Sequence, residues 1–340
     1  MSLPIRLTAA RPHAAAAPSH TAARRDALLR GAALRETARL EGVLRDAARA
    51  TRTRLLVSRM RKLHAAAAPV PAGAEDLAAL RPTRAMVVAP HADDEVIGCG
   101  GLVWHLAERG AATSVVFLTR ETHRSIATPS MVAGIPKRVL EARAAQRQLG
   151  YDAGDHLGLD ERALHAADVD GRLRGALAPR LVTARPEVLI VPSYHEQHPD
   201  HRAAARATLR VTHALWEVGA LPDLRAVLLF EIWGVCPRVD GYFSLPAPAV
   251  DAVRSALACY ETQTATVDYL ALLAELRESR ARALGHPDPA PQLDESVAVP
   301  PSLRWAEAYQ ILRTPEAVAA YLAEAERAAP PSTAGWQHAL

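Results

Sequence analysis

Residues 86–101 read Met-Val-Val-Ala-Pro-His-Ala-Asp-Asp-Glu-Val-Ile-Gly-Cys-Gly-Gly. The apolar run 86–89 passes directly into a polar turn, and glycines follow where a helix is predicted to begin. The ionisable side chains of that turn are His91, Asp93, Asp94 and Glu95. Open α/β sheets bind their ligands beyond the carboxyl ends of their strands. The stretch therefore predicts a buried strand, a helix after it, and a ligand site between the two.

A second cluster, His198-Pro199-Asp200-His201, follows another apolar run at 188–191. Neighbouring carboxylates such as Asp93 and Asp94 repel each other unless a cation neutralises them. Two histidines and one carboxylate, with water in the fourth position, form a known catalytic zinc set. The two clusters together predict one metal site. Two alternatives stay open: the aspartates could cap the following helix, and the histidines could be solvated turn residues.

From residue 85 onward, strand and helix patterns alternate along the chain. Such alternation predicts an α/β fold with a Rossmann-like, mostly parallel sheet flanked by helices. Strands are predicted at 86–89, 114–118, 156–159, 188–191 and 226–232, with an edge strand at 242–245. Helices are predicted at 101–109, 137–149, 172–184, 201–217, 250–260, 267–283 and 305–327, and a proline-rich connection at 286–301.

The first quarter of the chain has a different character from the rest. Residues 1–80 carry fourteen basic against six acidic residues, whereas the whole chain has a net charge of only +3. We predict a disordered start, a basic helical region over 21–64 (one long helix or two shorter ones) and a linker at 65–73. The extension 1–80 would then precede a catalytic domain at 81–330. Several roles of this extension remain open: it could pack on that domain, mediate homo-oligomerisation, or attach the protein to an acidic membrane surface or a carrier protein.

Cysteine usage and hydropathy indicate the compartment. Cys99, Cys236 and Cys259 are scattered and odd in number, which fits neither a disulfide framework nor a Cys-x-x-Cys metal clip. No apolar run approaches the ~20 residues of a membrane span, and the arginines near the start precede no apolar signal core. We therefore expect a cytoplasmic protein without a transmembrane segment. The composition is rich in arginine and alanine, and this does not indicate nucleic-acid binding.

The segments Pro90-His91-Ala92-Asp93-Asp94-Glu95 and His198-Pro199-Asp200-His201 resemble the two signature motifs of the LmbE-like, or PIG-L, zinc deacetylases. Members of that family remove acetyl groups from conjugates that contain N-acetylglucosamine. The resemblance covers about residues 84–265, including the landmark segments 138–150 and 260–263. It differs at Ala92, where the family usually has proline, and at 119–122, which lacks the usual Asp-Gly-Glu pattern.

This resemblance implies a role for each residue of the two clusters. His91, Asp94 and His201 would bind zinc, with Fe²⁺ or Co²⁺ as alternative ions because such sites discriminate poorly by affinity. Asp93 would be the general base. His198 would polarise the substrate carbonyl, and Asp200 would orient a histidine. The implied activity is hydrolysis of the N-acetyl group, or a related N-acyl group, of a small-molecule amino-sugar conjugate.

Substrate contacts are less clearly marked. The candidates are Arg120, Glu121, Arg124, Tyr194 and Trp233. The first three lie in a long loop that leaves a strand at the same sheet edge, Tyr194 could help to hold the oxyanion, and Trp233 could stack on a sugar ring or belong to the core. Three other functions remain open. They are a thiol-conjugate amidase of the same fold, a metal-dependent sugar-nucleotide glycosyltransferase, and a non-catalytic carbohydrate-binding module.

Overall fold

A computed structural model of the chain describes residues 20–65, 70–120, 131–132, 135–166, 168–285 and 305–328, with side chains from residue 35 onward. The chain divides into two compact units, residues 1–48 and 49–340. The helices are α1 (His20–Ala65), α2 (Asp94–Glu108), α3 (Lys137–Leu149), α4 (Val169–Ala184), α5 (Pro199–Glu217), α6 (Ala247–Ala258), α7 (Glu261–Thr264), α8 (Tyr269–Ala283) and α9 (Pro315–Arg327). The strands are β1 (Glu75–Asp76), β2 (Arg84–Ala89), β3 (Ala112–Arg120), β4 (Met131–Val132), β5 (Ile135–Pro136), β6 (Ala153–Asp160), β7 (Val188–Pro192), β8 (Ala226–Phe230), β9 (Gly241–Ser244) and β10 (Ala306–Leu312).

The main sheet has the strand order β1-β9-β10-β8-β7-β2-β3-β6. Strands β8, β7, β2, β3 and β6 are parallel, and β10 is antiparallel to both of its neighbours. This confirms the predicted mostly parallel α/β fold. The chain moves outward from β2 through β3 to β6 and then returns to β7 on the other side of β2. The crevice where strand order reverses, between β2 and β7, is the usual ligand site of such sheets.

Side chains of the central strands alternate between two hydrophobic layers. In β2, Val87 packs into one layer while Met86 and Val88 pack into the other, and Ile190 and Leu189 of β7 divide in the same way. Both faces are covered because parallel strands are joined by helical crossovers. One layer contains α2, α3, α6 and α8, and the other contains α4, α5 and α9. The turns that follow β2 and β7 are therefore attached to strands that are buried on both faces of the sheet.

The basic N-terminal region is one continuous helix, α1, so the single-helix alternative is confirmed. In the unit that ends at residue 48, the side chains of Leu40, Val43 and Leu44 are exposed. In the unit that begins at residue 49, Leu56 and Met60 are buried in the hydrophobic core. The proposed division at residue 80 stays a prediction, and the start at 1–19 and the connection at 286–301 lie outside the described residues.

Three predicted elements differ in the structure. The helix predicted at 101–109 already begins at Asp94. The strand predicted at the sheet edge lies inside the sheet, since β9 pairs with both β1 and β10. The single helix predicted over 305–327 is wrong, because Ala306–Leu312 forms strand β10 before helix α9. None of the helices in the described ranges combines the length and apolar character that crossing a bilayer requires.

Pairing in the sheet explains the error at β10. Its sequence, Ala-Glu-Ala-Tyr-Gln-Ile-Leu, contains several good helix formers, but tertiary context overrides such propensities. Hydrogen bonds to β8 and β9 hold the segment extended and fully buried. The next helix begins where Thr314 caps the Ala317 N–H and Pro315 occupies the first turn. That Thr-Pro pair is a recognised helix start, and it separates the strand from the helix.

Candidate metal centre

The turn after β2 is strained at one residue. Asp93 has φ = 124° and ψ = −24°, a conformation that residues other than glycine rarely adopt. It directs the two neighbouring carboxylates to different partners: Asp93 Oδ2 lies 3.1 Å from Arg138 Nη2, and Asp94 Oδ2 lies 3.2 Å from His201 Nε2. Asp93 makes no capping hydrogen bond at the α2 terminus among the described residues. Strain of this kind is commonly retained where a site needs it, which disfavours the helix-cap interpretation of Asp93.

Three donor atoms form a nearly equilateral triangle at the crevice. Asp94 Oδ2 lies 3.2 Å from His91 Nδ1 and 3.2 Å from His201 Nε2, and the two nitrogens are 3.3 Å apart. A tetrahedral zinc ion with bonds of about 2.0 Å separates its ligand atoms by about 3.3 Å. All three side chains are buried. The two sequence clusters thus meet at one place, and the spacing of their three donor atoms fits a tetrahedral divalent ion, which His91, Asp94 and His201 would hold.

The electrostatics of the triangle also favour a cation. Burial lowers the pKa of His201, but the charges of Asp94 and Glu196 outweigh it and raise that pKa to about 9. Burial likewise lowers the pKa of His91, and hydrogen bonds with Asp200 and Asp94 raise it well above its ordinary value. Burial raises the pKa of Asp94, yet the charge of His201 holds it far below its usual range. Buried carboxylates need a positive partner, and a divalent ion would compete with the histidine protons for that role.

His198 lies beside the triangle and faces the cleft. Its Nδ1 accepts a hydrogen bond from the Asp200 N–H at 3.2 Å, which caps α5 and leaves the ring proton on Nε2. Burial, together with the charges of His91 and His201, lowers the pKa of His198 well below its usual value. Its ring centroid lies 5.0 Å from that of His91. His198 is therefore neutral at physiological pH and can offer an Nε2–H donor next to the three donor atoms of the triangle.

Asp200 connects the other side of His91 to the protein. Its Oδ2 lies 3.2 Å from His91 Nε2, the ring nitrogen that faces away from Asp94. The backbone N–H groups of Arg162 and Leu164 donate to the same carboxylate, at 2.5 and 3.2 Å. Burial raises the pKa of Asp200, but the hydrogen bond and charge of His91 hold it far below its usual range. Partners of this type orient a metal-binding imidazole and increase its basicity.

Asp93 has the properties of a proton carrier. Burial raises its pKa to about 7, against the opposing charge of Arg138 and with a further upward contribution from Asp94. Arg138 is itself held in place, since its Nε donates to the Ala92 carbonyl at 2.8 Å and its guanidinium lies 5.5 Å from the centre of the Tyr260 ring. A carboxylate with a pKa near the working pH suits general acid–base catalysis. The sequence indicated the α3 helix without identifying Arg138 as the partner of Asp93.

Two buried glutamates support the site and were not identified from the sequence. Glu196 accepts hydrogen bonds from the Ile232 and Trp233 N–H groups, at 2.5 and 2.8 Å, and lies 3.4 Å from His201 Nδ1. Glu95 accepts from the Asp93 N–H at 2.9 Å and from the Tyr260 hydroxyl. Glu196 follows the same strand end as His198, and that position was an available signal. Glu95 lies within the stretch 86–101, but its side chain points into the protein only because of the unusual turn at Asp93.

The five residues predicted to contact substrate differ in where the structure places them. Trp233 is buried and lines the same cleft as His91 and His198. Arg120 is exposed, pairs with Asp160 at 2.9 Å, and lines a neighbouring cleft. Tyr194 donates its backbone N–H to the Tyr321 hydroxyl on α9. Glu121 and Arg124 lie outside the described residues, and the substrate-binding role of all five stays a prediction.

Residues 86–212 match the model of the PIG-L family, described as GlcNAc-PI de-N-acetylase. The match includes both motifs and confirms their resemblance to the PIG-L (LmbE-like) family. A curated relative from Mycobacterium sp. (strain KMS), a 1D-myo-inositol 2-acetamido-2-deoxy-alpha-D-glucopyranoside deacetylase, is 31% identical over an alignment of 160 positions that covers 40% of this chain and 52% of the relative. The chain spans about half the length of the curated relatives it matches.

Solved structures share the fold. The conserved protein TT1542 from Thermus thermophilus has a TM-score of 0.50 and 26% identity, over 66% of this chain and 92% of its own. GalB, the 4-carboxy-2-hydroxymuconate hydratase from Pseudomonas putida KT2440, has a TM-score of 0.51 and 19% identity, over 68% and 96%. A deacetylase triple mutant of the teicoplanin biosynthetic pathway has a TM-score of 0.50 and 20% identity, over 68% and 99%. Since this fold carries both deacetylases and a hydratase, fold alone does not determine the reaction.

Proposed function

We propose that this protein is a metal-dependent hydrolase that removes an N-acetyl group from an amino-sugar conjugate. The observation that carries the proposal is the triangle of His91, Asp94 and His201, with the carboxylate of Asp93 in the same cleft. The match to the PIG-L family supports the reaction class. The curated relative named above, an acetamido-sugar deacetylase, supports an N-acetylated sugar as the substrate class.

We propose zinc as the ion, because three nitrogen and oxygen donors with tetrahedral spacing are typical of catalytic zinc sites. Fe²⁺ and Co²⁺ fit the same donors and stay as alternatives. When bound, such an ion polarises a carbonyl oxygen and acidifies water. His91, Asp94 and His201 would hold it, with Asp200 and Glu196 orienting the two imidazoles from behind.

Asp93 and His198 then have different roles in the reaction. Asp93 accepts a proton from the attacking water as the oxygen of that water bonds to the acetyl carbon. The Nε2–H of His198 donates to the oxygen that becomes negatively charged, and one such donor typically contributes ~3–4 kcal/mol to the transition state. Asp93 returns its proton to the sugar nitrogen as the carbon–nitrogen bond breaks, which yields acetate and a free amine. Arg138 holds Asp93 in position for both transfers.

The test is acetate release by protein loaded with a defined amount of one metal. Protein stripped with a chelator is reconstituted separately with Zn²⁺, Fe²⁺ or Co²⁺. Each form is then incubated with N-acetylglucosamine, its inositol glycoside and N,N'-diacetylchitobiose, and free amines are identified by mass spectrometry. Metal-dependent formation of amine and acetate supports the proposal. Absence of amine from every N-acyl sugar, with one equivalent of metal bound, would overturn it, and addition of water to an unsaturated acid would indicate a hydratase instead.

The cytoplasm is the compartment that we propose. Cys99 and Cys236 are buried, Cys259 is partly exposed, and all three are free thiols. Unpaired cysteines are stable in a reducing compartment. Fractionation of the source cells with an antibody to this protein would test the assignment, and recovery outside the cytoplasmic fraction would contradict it.

A further inference from the structure

Residues 49–65, the last part of α1, are attached to α8 and to the residue before it. Thr53 Oγ1 accepts a hydrogen bond from the Asp268 N–H at 2.9 Å, immediately before α8 begins. Arg61 Nε donates to Glu275 on α8 at 2.8 Å. Leu56 and Met60 are only 0% and 2% exposed. This part of α1 therefore belongs to the same packed body as the metal-binding residues.

Arg52 lies on the same helical stripe as these two apolar anchors, because residues four apart share a face of a helix. Two of the residues that line the cleft beside it, Thr266 and Tyr269, flank the position where α1 is attached. The Arg52 side chain is exposed, and no described residue forms an ion pair or a hydrogen bond with it. It thus presents an uncompensated positive charge at the rim of the cleft.

The other charges of the cleft are arranged differently. Arg138 is paired with Asp93, and Asp94 is paired with the histidines. At the rim, Arg162 and Glu161 carry opposite charges. Arg52 adds a further positive charge at this rim, and no described residue forms an ion pair with it. A guanidinium group binds carboxylate and phosphate through two parallel hydrogen bonds, which makes it a selective reader of anions.

The size of the cleft places the rest of the substrate at this rim. The space beside the triangle is about 60 Å³. A water-sized group needs ~10–15 Å³ of such space, so the whole cleft, whose lining includes Arg52 and Arg162, holds only about four to six such groups, which is the size of an acetamido group and a water. The remainder of a larger conjugate would therefore lie outside this space, where Arg52 can reach it.

We propose that Arg52 binds an anionic group, a phosphate or a carboxylate, on the part of the substrate that extends from the cleft. The natural substrate is then an anionic N-acetylated amino-sugar conjugate, and α1 selects it. This inference rests on the proposed deacetylase function and adds the substrate class. It assigns a binding role to the basic segment that precedes the family domain.

The experiment compares Arg52→Gln with Arg54→Gln, which removes the same charge from a neighbouring position whose Nε donates to the Ala50 carbonyl. Substrates are a neutral N-acetylglucosaminide, its 6-phosphate and a carboxylate-bearing analogue. For the anionic substrate that the site prefers, Arg52→Gln should lower kcat/KM by about 10–100-fold, the scale of a charge-assisted hydrogen bond. The loss should appear mainly in KM, because Arg52 is remote from the reacting atoms. Neutral substrate should change by less than about twofold.

Arg52→Lys separates charge from hydrogen-bond geometry, since lysine keeps the charge and loses the planar fork. It should recover part of the preference, and the preference should weaken at high salt because the site is exposed. Equal losses for anionic and neutral substrates in Arg52→Gln would overturn the proposal. So would a wild-type protein that does not distinguish the three substrates, or an Arg54→Gln variant with the same defect.

Calorimetric titration of the corresponding deacetylated amines distinguishes failure of this inference from failure of the proposed function. Tighter binding of the anionic amine to wild type than to Arg52→Gln supports the rim site even if no acetate is released from any substrate. Deacetylation of neutral and anionic conjugates at equal rates, with equal binding of their amines, leaves the enzyme assignment in place and refutes the role of Arg52.

Discussion

Replacement of Asp93 by asparagine is the most direct test of how the two neighbouring aspartates divide their work. Asparagine tolerates positive φ about as well as aspartate, so the turn at φ = 124° can be retained. It also keeps an oxygen that can accept from Arg138. What it removes is the negative charge and the ability to carry a proton. We expect the metal to stay bound while turnover falls ~10²–10⁴-fold, the usual scale of general acid–base catalysis.

The energies behind this prediction have two parts. A loss of ~10²–10⁴-fold corresponds to about 3–5.5 kcal/mol in the activation free energy. The second part is stability, because Arg138 is buried and loses its partner at 3.1 Å. Removing one member of a buried ion pair costs up to ~3–5 kcal/mol, and Glu161 compensates part of this because its charge also favours the protonated Arg138. We expect a cost of roughly 1–3 kcal/mol, or a decrease in Tm of about 3–10 °C.

Metal content, Tm and acetate release are measured together for wild type, Asp93→Asn and the double variant Asp93→Asn/Arg138→Gln. The double variant removes both charges, so it should regain stability without regaining turnover, as expected for coupled neighbours. Loss of metal from Asp93→Asn would show that the division of roles is wrong. Retention of more than about a tenth of the wild-type kcat would exclude Asp93 as the base.

Three further outcomes are expected. Asp94→Asn should lose metal affinity, measured by competition with a fluorescent chelator, because an amide oxygen binds zinc more weakly than a carboxylate; retained affinity would remove Asp94 from the ligand set. Burial lowers the pKa of His64 to about 4, so the folded state disfavours protonation of this side chain. The free energy of unfolding should therefore fall as pH decreases from 6.5 toward 4, by about 2 kcal/mol at pH 5. Urea unfolding of His64→Leu should not show this pH dependence, and an identical pH dependence would contradict the assignment. Gly234→Ala should destabilise the protein strongly, because its Cβ would collide with the His195 carbonyl oxygen. The matched variant Gly175→Ala on α4 places its Cβ where nothing lies within 4 Å and should stabilise the protein by up to ~1 kcal/mol. Equal Tm values for the two variants would show that the backbone around His195 moves to accept the new Cβ.

The meeting of the two sequence clusters at one place could be predicted because their signal is local. Each cluster directly follows an apolar strand, and the carboxyl ends of parallel strands lie at the same edge of a sheet. In the structure β2 and β7 are neighbours, and His91, Asp94 and His201 meet at that edge. The reversal of strand order at that point also explains why a cleft exists there. Strand-end position thus predicted one site from two clusters, whereas the choice of His91, Asp94 and His201 as its ligands came from the resemblance to the PIG-L family.

The supporting residues could not be predicted because their positions depend on three-dimensional packing. Arg138 reaches Asp93 from α3, a helix that begins only after helix α2 and the three strands β3, β4 and β5. Glu196 and Glu95 point inward only because of the hydrogen bonds that the folded loops provide. The strand β10 was missed for a related reason, since its helix-forming residues are held extended by neighbours on both sides. Local propensity does not contain these contacts.

Arg52 shows how register on a helix can place a residue in a site that its local sequence does not suggest. Nothing near residue 52 resembles a binding motif, and its segment is marked mainly by positive charge. Yet Arg52, Leu56 and Met60 are spaced four apart, so burial of the two apolar side chains determines the direction of the arginine. Arg54, two positions away, lies on another side of the helix. The same hydrophobic contacts that stabilise α1 against α8 therefore bring a cation to the cleft, which couples the packing of the extension to the choice of substrate.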